Sequence, residues 1–250
     1  RIICVGRNNV DVILDVELGR LRPDTKQPSG PARIVMGGQC MNAAATLAAL
    51  GESRGEAFSV VYAGVTGDDE NGVRVREFLL ERGIDGMDMP GSVAIAQEAR
   101  ERGVPTLCDV EMVSDDTLAL IAACDTVILP RAVAMEMAGT DELKPMLEKL
   151  VALGARRAAV TMGAEGSVGL DGTGEMCRVE AVLPERIVDT TGAGDAFHAG
   201  FLFADISGAG FEAALRFGAE VASVKCAHAG PSSPPEALHA LGAGVTRKVR

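Results

Sequence analysis

Residues 187–197 read Ile-Val-Asp-Thr-Thr-Gly-Ala-Gly-Asp-Ala-Phe, and a helical pattern of apolar residues continues from them to about residue 206. The small residues in the middle predict a tight turn, and the periodicity after them predicts a helix that begins within that turn, at about Gly194. We interpret Ile187 and Val188 as the end of a strand. A strand that passes through a short turn into a helix is the building unit of an α/β fold.

The same alternation of short apolar runs and helical patterns extends over most of the chain. Predicted strands cover 2–5, 60–64, 105–109, 126–129 and 158–162, and further predicted helices cover 41–50, 72–82, 93–102, 115–123, 141–153 and 211–227. Residues 167–170 and 175–182 flank a turn and predict an antiparallel hairpin. Strands that are apolar throughout indicate a mostly parallel sheet with helices on both faces, a three-layer αβα fold. The sequence shows no linker, so we predict one domain over 1–250.

The composition argues against several classes of partner. The 250 residues carry a formal net charge of −11 and a single Tyr with no Trp, which disfavours nucleic acid. No apolar run approaches the roughly 18–20 residues that cross a bilayer, and the chain opens on a strand pattern, so we expect no membrane partner and no signal peptide. The six cysteines are scattered without metal-ligand spacing, which indicates buried thiols in a cytoplasmic protein.

The turn at 192–194 can bind an anion. The first N–H groups of a helix have no acceptor inside the helix, and Gly192, Ala193 and Gly194 have little side chain to keep a phosphate away from them. The helix dipole adds about half a positive charge at the same place. Asp195 lies in the first helical turn, where its carboxylate could accept the proton of an attacking hydroxyl. The alternative is an acidic residue that only stabilises the helix dipole.

A second glycine pair precedes the helix at 41–50. Gly37 and Gly38 let the backbone approach a ligand, and Asn42 offers both a donor and an acceptor to a hydroxyl group. Asp11 comes shortly after the first strand. Because the carboxyl ends of parallel strands meet at one edge of a sheet, where ligands bind, we expect these residues at that edge. The alternative is an ordinary loop that ends in a helix cap.

Two motifs resemble the signatures of a known family. The string Asp-Thr-Thr-Gly-Ala-Gly-Asp-Ala-Phe at 189–197 is similar to the C-terminal signature of the ribokinase (PfkB) carbohydrate kinases, and Gly-Gly-Gln-Cys-Met-Asn at 37–42 resembles their N-terminal signature. Shorter matches at 6–11, 67–72 and 161–166 fall in the order of the family. Within it, the chain looks most similar to the ketohexokinases.

The resemblance implies a ribokinase-like fold with a small β lid, contributed by segments around 12–36 and near 88–92, through which members often form homodimers. It also implies an ATP-dependent, Mg²⁺-using kinase in which Asp195 is the catalytic base and Gly192, Ala193 and Gly194 form the anion hole. The residues implied to bind the sugar are Asp11, Gly37, Gly38, Gln39 and Asn42. Those implied to bind ATP are Thr161, Gly163, Gly166 and Thr191, with residues 219–223 near the adenine. Asp189 is implied to bind K⁺.

The chain departs from the family pattern in two places. Pro-Arg-Ala-Val-Ala at 130–134 stands where most members carry Asn-x-x-Glu, a motif that helps to organise Mg²⁺ and that ketohexokinases also lack. Met-Pro-Gly-Ser at 89–92 leads straight into a helix where lid strands and one βα unit are expected. Either the lid is lost or a segment is missing from this sequence, and the mobility that lids need favours the second explanation.

We therefore predict a kinase that phosphorylates a hydroxyl group of a ketohexose or a related sugar. A nucleoside kinase of the same fold is the alternative activity, and a sugar- or nucleotide-binding protein that no longer turns over is the alternative outside catalysis. The sequence contains no G-x-x-x-x-G-K-[ST], so a P-loop mechanism is unsupported. The turn at 192–194 does not complete the G-x-G-x-x-G of dinucleotide-binding folds, which disfavours a dehydrogenase.

Overall fold

The computed structural model describes residues 1–14, 29–53, 59–87 and 91–242. The strands in these ranges are β1 (Ile2–Val5), β2 (Asn9–Ile13), β3 (Arg33–Gly37), β4 (Val60–Ala63), β5 (Asp85–Met87), β6 (Leu107–Cys108), β7 (Thr126–Pro130), β8 (Arg157–Thr161), β9 (Ser167–Leu170) and β10 (Met176–Val179). The helices are α1 (Gln39–Ser53), α2 (Glu70–Glu81), α3 (Ser92–Glu101), α4 (Asp115–Ala123), α5 (Arg131–Ala138), α6 (Leu143–Ala152), α7 (Ala193–Ile206), α8 (Phe211–Cys226) and α9 (Pro235–Gly242).

The described strands form three sheets. One is parallel, in the order β1-β4-β5, and one has five strands in the order β10-β9-β8-β7-β6, parallel from β6 to β8 and antiparallel at β9 and β10. The third is the antiparallel pair β2-β3. These sheets confirm the α/β class and the hairpin predicted after residue 166. The mostly parallel strands agree with the predicted α/β architecture, and no strand pair in the described ranges joins the two larger sheets.

The two larger sheets meet in the sequence between β5 and β6. β5 is the last strand of the three-stranded sheet, and β6, the next strand along the chain, is the edge of the five-stranded one. The resemblance places one further βα unit between these two strands. Ile3 on β1 is 49% exposed, which is unusual for an apolar residue of a parallel strand in an α/β core. In the described ranges β1 is an edge strand of its sheet, with β4 as its neighbour on one side.

Helices α1, α7 and α8 pack together and fix the start of α7. A methyl group built at Gly200 on α7 would lie 2.8 Å from Val221 Cγ2, and one at Gly218 on α8 would lie 2.8 Å from Phe197 O. These two glycines therefore let α7 and α8 pack with their backbones close together. Phe201 and Phe203 of α7 are fully buried, so rotation or sliding of α7 would expose large apolar surfaces to water.

Several elements differ from the sequence-based expectations. The patterns did not predict α5, α9 or the three-residue β5, and α6 begins at Leu143 rather than at 141. Residues 187–189 are not a strand: the N–H groups of Val188 and Asp189 donate to Cys226 O at the end of α8 rather than to a neighbouring strand. Asp69 accepts a 2.8 Å hydrogen bond from Gly72 N and caps α2.

The predicted lid lies only partly within the described ranges. β2 and β3 form the two ends of the 12–36 segment, whereas residues 15–28 and 88–90 are outside the described residues. The lid, the single-domain boundaries and a dimer formed through the lid stay predictions. Among the helices that the structure describes, none has the length and apolar character to span a bilayer.

Candidate active site

The turn that leads into α7 is held by the chain that follows α8. Gly192 has a φ of 75°, in the left-handed region, and a methyl group built on it would lie 2.0 Å from Pro231 O. The Asp189 carboxylate accepts hydrogen bonds of 2.9 Å from Thr191 N and from Gly230 N. Glycine is the residue that can adopt this left-handed conformation and also let the Pro231 carbonyl approach the backbone at position 192. The turn is therefore fixed against residues 225–231.

Two N–H groups in the first turn of α7 are open. The Ala193 N–H donates to Thr190 O at 3.1 Å and the Ala196 N–H to Gly192 O at 3.0 Å, whereas those of Gly194 and Asp195 have no acceptor among the described residues. A methyl group at Gly194 would meet nothing within 4 Å. Of the three residues expected to form an anion hole, Ala193 therefore has its N–H engaged, and the N–H groups of the first helical turn that remain for an anion are those of Gly194 and Asp195.

Asp195 is the buried carboxylate of this turn, 9% exposed. Its Oδ2 accepts a 2.8 Å hydrogen bond from Nδ2 of Asn42 on α1. Burial raises the pKa of Asp195 above the ordinary value for aspartate, the hydrogen bond from Asn42 opposes the rise, and the negative charge of Asp109 adds to it. A carboxylate with a raised pKa accepts a proton more readily than an exposed aspartate does, which suits a general base.

Asp109 brings a second carboxylate to the site. It follows β6, its Oδ2 accepts a 2.9 Å hydrogen bond from Gln39 Nε2, and the same oxygen lies 3.7 Å from His198 Nδ1. Its Oδ1 is buried and has no partner among the described residues. Asp109 was not among the site residues predicted from the sequence, although it is the last residue of a predicted strand, at the carboxyl end where ligand-binding side chains concentrate.

His198 links α7 to the five-stranded sheet. Its Nδ1 lies 2.7 Å from Gly194 O and its Nε2 lies 3.0 Å from Ile128 O on β7, and the side chain is largely buried. A neutral imidazole has one N–H and can donate to one of these carbonyls, whereas the imidazolium donates to both. In either state the ring positions the first turn of α7 next to the end of β7.

The glycine pair before α1 lies against β2. A methyl group at Gly37 would lie 2.1 Å from Asp11 Oδ2, and one at Gly38, with a φ of 96°, would lie 2.8 Å from Arg7 O. The Asn42 N–H donates to Gly38 O at 2.9 Å. The structure therefore brings Asp11 on β2 close to the two glycines at the junction of β3 and α1, and Asn42 on α1 also reaches Asp195. Asn42 Oδ1 is buried without a partner in the described part of the chain.

The residues expected at ATP lie on a different loop. Thr161 ends β8, and Gly163 begins a turn of 3₁₀ helix with no atom near its missing side chain. Gly166 is explained by packing, because a methyl group there would lie 2.1 Å from Val179 O on β10. Among the described residues, no hydrogen bond joins 161–166 to 189–195, and Thr191 is the member of the set that lies on the turn itself.

An open cleft of about 580 Å³ lies beside the end of α8. Its lining residues are Pro184, Ser223, Val224, Ala227, His228, Pro234, Glu236 and Ala237. The volume is within the range of small-molecule sites, and the lining is mostly apolar with a few polar groups. Ser223 belongs to the segment expected near the adenine of ATP, so the cleft is the candidate site for the adenine.

The two glycines of the turn are expected to respond differently to alanine. Gly192→Ala should lower the free energy of unfolding by about 2–4 kcal/mol, since it adds both a left-handed alanine and a collision with Pro231 O. Gly194→Ala should raise it by about 0.5–1 kcal/mol, because alanine is the better helix former and the space is open. Urea denaturation of both variants measures this difference. If residues 192–194 form the expected anion hole, the same methyl at 194 should lower the rate of phosphoryl transfer at least roughly tenfold, and an unimpaired Gly194→Ala variant would contradict that expectation.

Comparison with known proteins identifies the family of this chain. The profile of the pfkB family of carbohydrate kinases matches residues 92–238, more than half of the chain. The chain belongs to the pfkB family of carbohydrate kinases. Among pfkB family relatives, the ribokinase of Arabidopsis thaliana is 31% identical over 153 residues, 57% of this chain and 40% of that protein. The ketohexokinase of Mus musculus is 30% identical over 136 residues, 52% of this chain and 44% of that protein.

Solved structures extend the likeness beyond these aligned parts. The Arabidopsis ribokinase complexed with ribose and ATP superposes with a TM-score of 0.79 at 19% identity, covering 96% of this chain and 98% of that one. The adenosine kinase of Sinorhizobium meliloti gives a TM-score of 0.79 at 23% identity, covering 96% and 97%. Both confirm the ribokinase-like fold. In sequence, the match spans less than half the length of the two curated relatives.

Proposed function

We propose that this pfkB family member is an ATP-dependent kinase that transfers the γ-phosphoryl group to a hydroxyl of a sugar. One observation carries the proposal: Asp195 is a buried carboxylate, held by Asn42, in the first turn of a helix whose Gly194 and Asp195 N–H groups are open. Proteins catalyse phosphoryl transfer mainly by positioning the reactants and by electrostatic stabilisation. A general base next to an anion-binding site provides both.

The proposed step uses the residues of this turn. The acceptor hydroxyl gives its proton to the Asp195 carboxylate while its oxygen forms a bond to the γ-phosphorus. The bond from the γ-phosphorus to the bridging oxygen of ADP breaks, and ADP leaves with that electron pair. The N–H groups of Gly194 and Asp195 stabilise the charge on the transferred group. Asp195 then releases the proton to solvent, and the raised pKa of Asp195 favours the first of these transfers.

The sugar is proposed to bind beside the junction of β3 and α1, at Asp11, Gly37, Gly38 and Asn42. Carboxylate oxygens of Asp11 accept hydrogen bonds from hydroxyl groups, and the unpartnered Oδ1 of Asn42 provides a further acceptor beside the base. Gln39 already donates to Asp109, so its part would be to position that carboxylate rather than to bind the sugar through Nε2.

The nucleotide is proposed to extend from the turn at 191–195 toward the cleft at Ser223, with Thr161 and Gly163 as further contacts. The described residues contain no group of three or more His, Cys, Asp or Glu side chains that could hold a metal ion. Mg²⁺ would therefore enter with the nucleotide and take most of its ligands from phosphate oxygens and water.

A nucleoside kinase is the second candidate activity, because an adenosine kinase structure superposes as well as a ribokinase structure does. The two classes share the glycine motifs and differ in the side chains around the acceptor. A nucleotide-binding protein without turnover is the third candidate, and its support is the missing Asn-x-x-Glu at 130–134.

A thermal-shift screen should separate these candidates. Ketohexoses, pentoses, keto-deoxy acids and nucleosides are each tested with MgADP, and every compound that raises the melting temperature is then assayed with MgATP for ADP release and for a phosphorylated product. We expect a stabilising sugar to be phosphorylated. Phosphorylation of nucleosides alone would replace the sugar assignment, and stabilisation by sugars without any product would favour the binding protein.

A further inference from the structure

The oxygens of Asp189, where the resemblance places K⁺, are already occupied by donors. Oδ1 accepts a hydrogen bond from Thr191 N, Oδ2 accepts one from Gly230 N, and the main-chain oxygen accepts a 2.7 Å hydrogen bond from Lys225 Nζ. Despite the opposing effect of partial burial, the two N–H groups lower the pKa of the Asp189 carboxyl. The residues present thus hold an ammonium group where a monovalent cation was expected. With that ammonium group in place, they do not fit a K⁺ ion.

Lys225 is an unusual residue for its place in the fold. It lies on α8 seven residues after the buried Gly218, so that it continues the apolar face of the helix, and it is fully buried. Its Nζ donates to Asp189 O and, at 3.2 Å, to His228 O. Lysine is rarely buried unless its charge is satisfied. Burial lowers the pKa of Lys225, and the Asp189 carboxylate opposes this effect by stabilising the ammonium.

We propose that the ammonium group of Lys225 is a built-in cation that takes the place of K⁺ and positions the anion-binding turn, so that this chain needs no monovalent cation. Backbone carbonyls and a nearby carboxylate are the surroundings that bind either an alkali cation or an ammonium group. Here the ammonium is covalently attached, and its contacts with Asp189 O and His228 O join the start of the turn to the segment after α8.

The position of Lys225 connects it to the open N–H groups of α7. Asp189 is three residues before Gly192, whose backbone packs against Pro231 O. Lys225 therefore anchors one end of the turn, and the contact of Gly192 with Pro231 anchors the other. Loss of the ammonium would leave two partly buried carbonyls without this donor and loosen the turn. Lys225 touches neither of the open N–H groups, so it is a positioning residue.

Thermal unfolding without nucleotide or sugar tests the inference, so its outcome is independent of kinase activity. Melting temperatures are measured at equal ionic strength in KCl and in tetramethylammonium chloride, whose cation is too large for the site. We expect the wild-type protein to melt at the same temperature in both. Lys225→Met should melt about 5–10 °C lower in tetramethylammonium chloride. It should recover roughly 3–6 °C in KCl, because the vacated carbonyls then bind K⁺.

The control is Lys149→Met, which removes an exposed lysine from α6 and should melt like the wild type in both salts. A wild-type protein that is stabilised by K⁺ over tetramethylammonium would overturn the inference, as would a Rb⁺ ion at Asp189 in wild-type crystals grown with RbCl. These two wild-type measurements decide the matter even if Lys225→Met does not fold. If the inference holds and the acceptor screen finds no product, only the proposed kinase function fails.

Discussion

Replacing Asp195 by Asn is expected to lower kcat by ~10²–10⁴ and to leave the affinities for ATP and sugar close to those of the wild type. The amide has nearly the shape of the carboxylate and can still accept the hydrogen bond from Asn42 Nδ2. It cannot accept the proton of the acceptor hydroxyl, so the loss falls on the chemical step. Steady-state ADP release measures kcat, and titration with a non-hydrolysable ATP analogue measures nucleotide affinity.

A matched control distinguishes the base from a helix-dipole residue. Asp116 lies in the first turn of α4 and is exposed, so Asp116→Asn removes an acidic first-turn residue from a different helix. This variant should keep wild-type turnover. If Asp195→Asn also turned over at nearly the wild-type rate, Asp195 would be no more than a residue that stabilises the helix dipole, and the proposed mechanism would be wrong.

The same substitution should stabilise the fold at neutral pH. Because burial raises the pKa of Asp195, the native state binds this proton more tightly than the unfolded state does. The contribution of Asp195 to stability is therefore present at low pH and is lost as the pH rises through the folded-state pKa. Asn has no such dependence. Urea denaturation should show that the advantage of Asp195→Asn grows from acidic to neutral pH.

The local parts of this site could be predicted from the sequence. The glycine turn, the helix start and the acidic residue after it are neighbours in the chain, so residues 192–195 alone indicate an anion site beside a base. The hydrogen bond from Asn42 to Asp195 joins residues 153 positions apart, and no pattern within either motif fixes it. It depends on how α1 packs against α7, which is a property of the whole fold.

Asp109 and Lys225 were missed for the same reason. Each interrupts an apolar segment with a charge, at the end of β6 and on the buried face of α8, and such an interruption is a usable signal of a partnered group. What the partner is cannot be read from the segment, because Gln39 and Asp189 come from distant parts of the chain. The break between β5 and β6 was likewise hidden, since a strand pattern predicts a strand but not the neighbour to which it is bonded.

Asn42 is expected to control the pH dependence of the reaction. Its hydrogen bond stabilises the carboxylate form of Asp195, so Asn42→Leu, which removes the donor at similar volume, should raise the pKa of Asp195 further. A smaller fraction of the enzyme then carries the base at a given pH. We expect kcat/KM at neutral pH to fall by ~10–10², and the acid limb of its pH profile to move to higher pH.

Asn42→Asp makes the comparison sharper, because it removes the same donor and adds a negative charge next to Asp195 Oδ2. Two carboxylates at that distance cannot both be ionised easily, so kcat/KM at neutral pH should fall further, by ~10²–10³, and the acid limb should move beyond that of Asn42→Leu. Both variants should regain activity as the pH rises, which a variant that is merely misfolded would not do. If the three acid limbs coincided, the group that titrates in the profile would not be Asp195, and the base would have to be sought elsewhere, first at Asp109, the carboxylate that lies near His198 of α7.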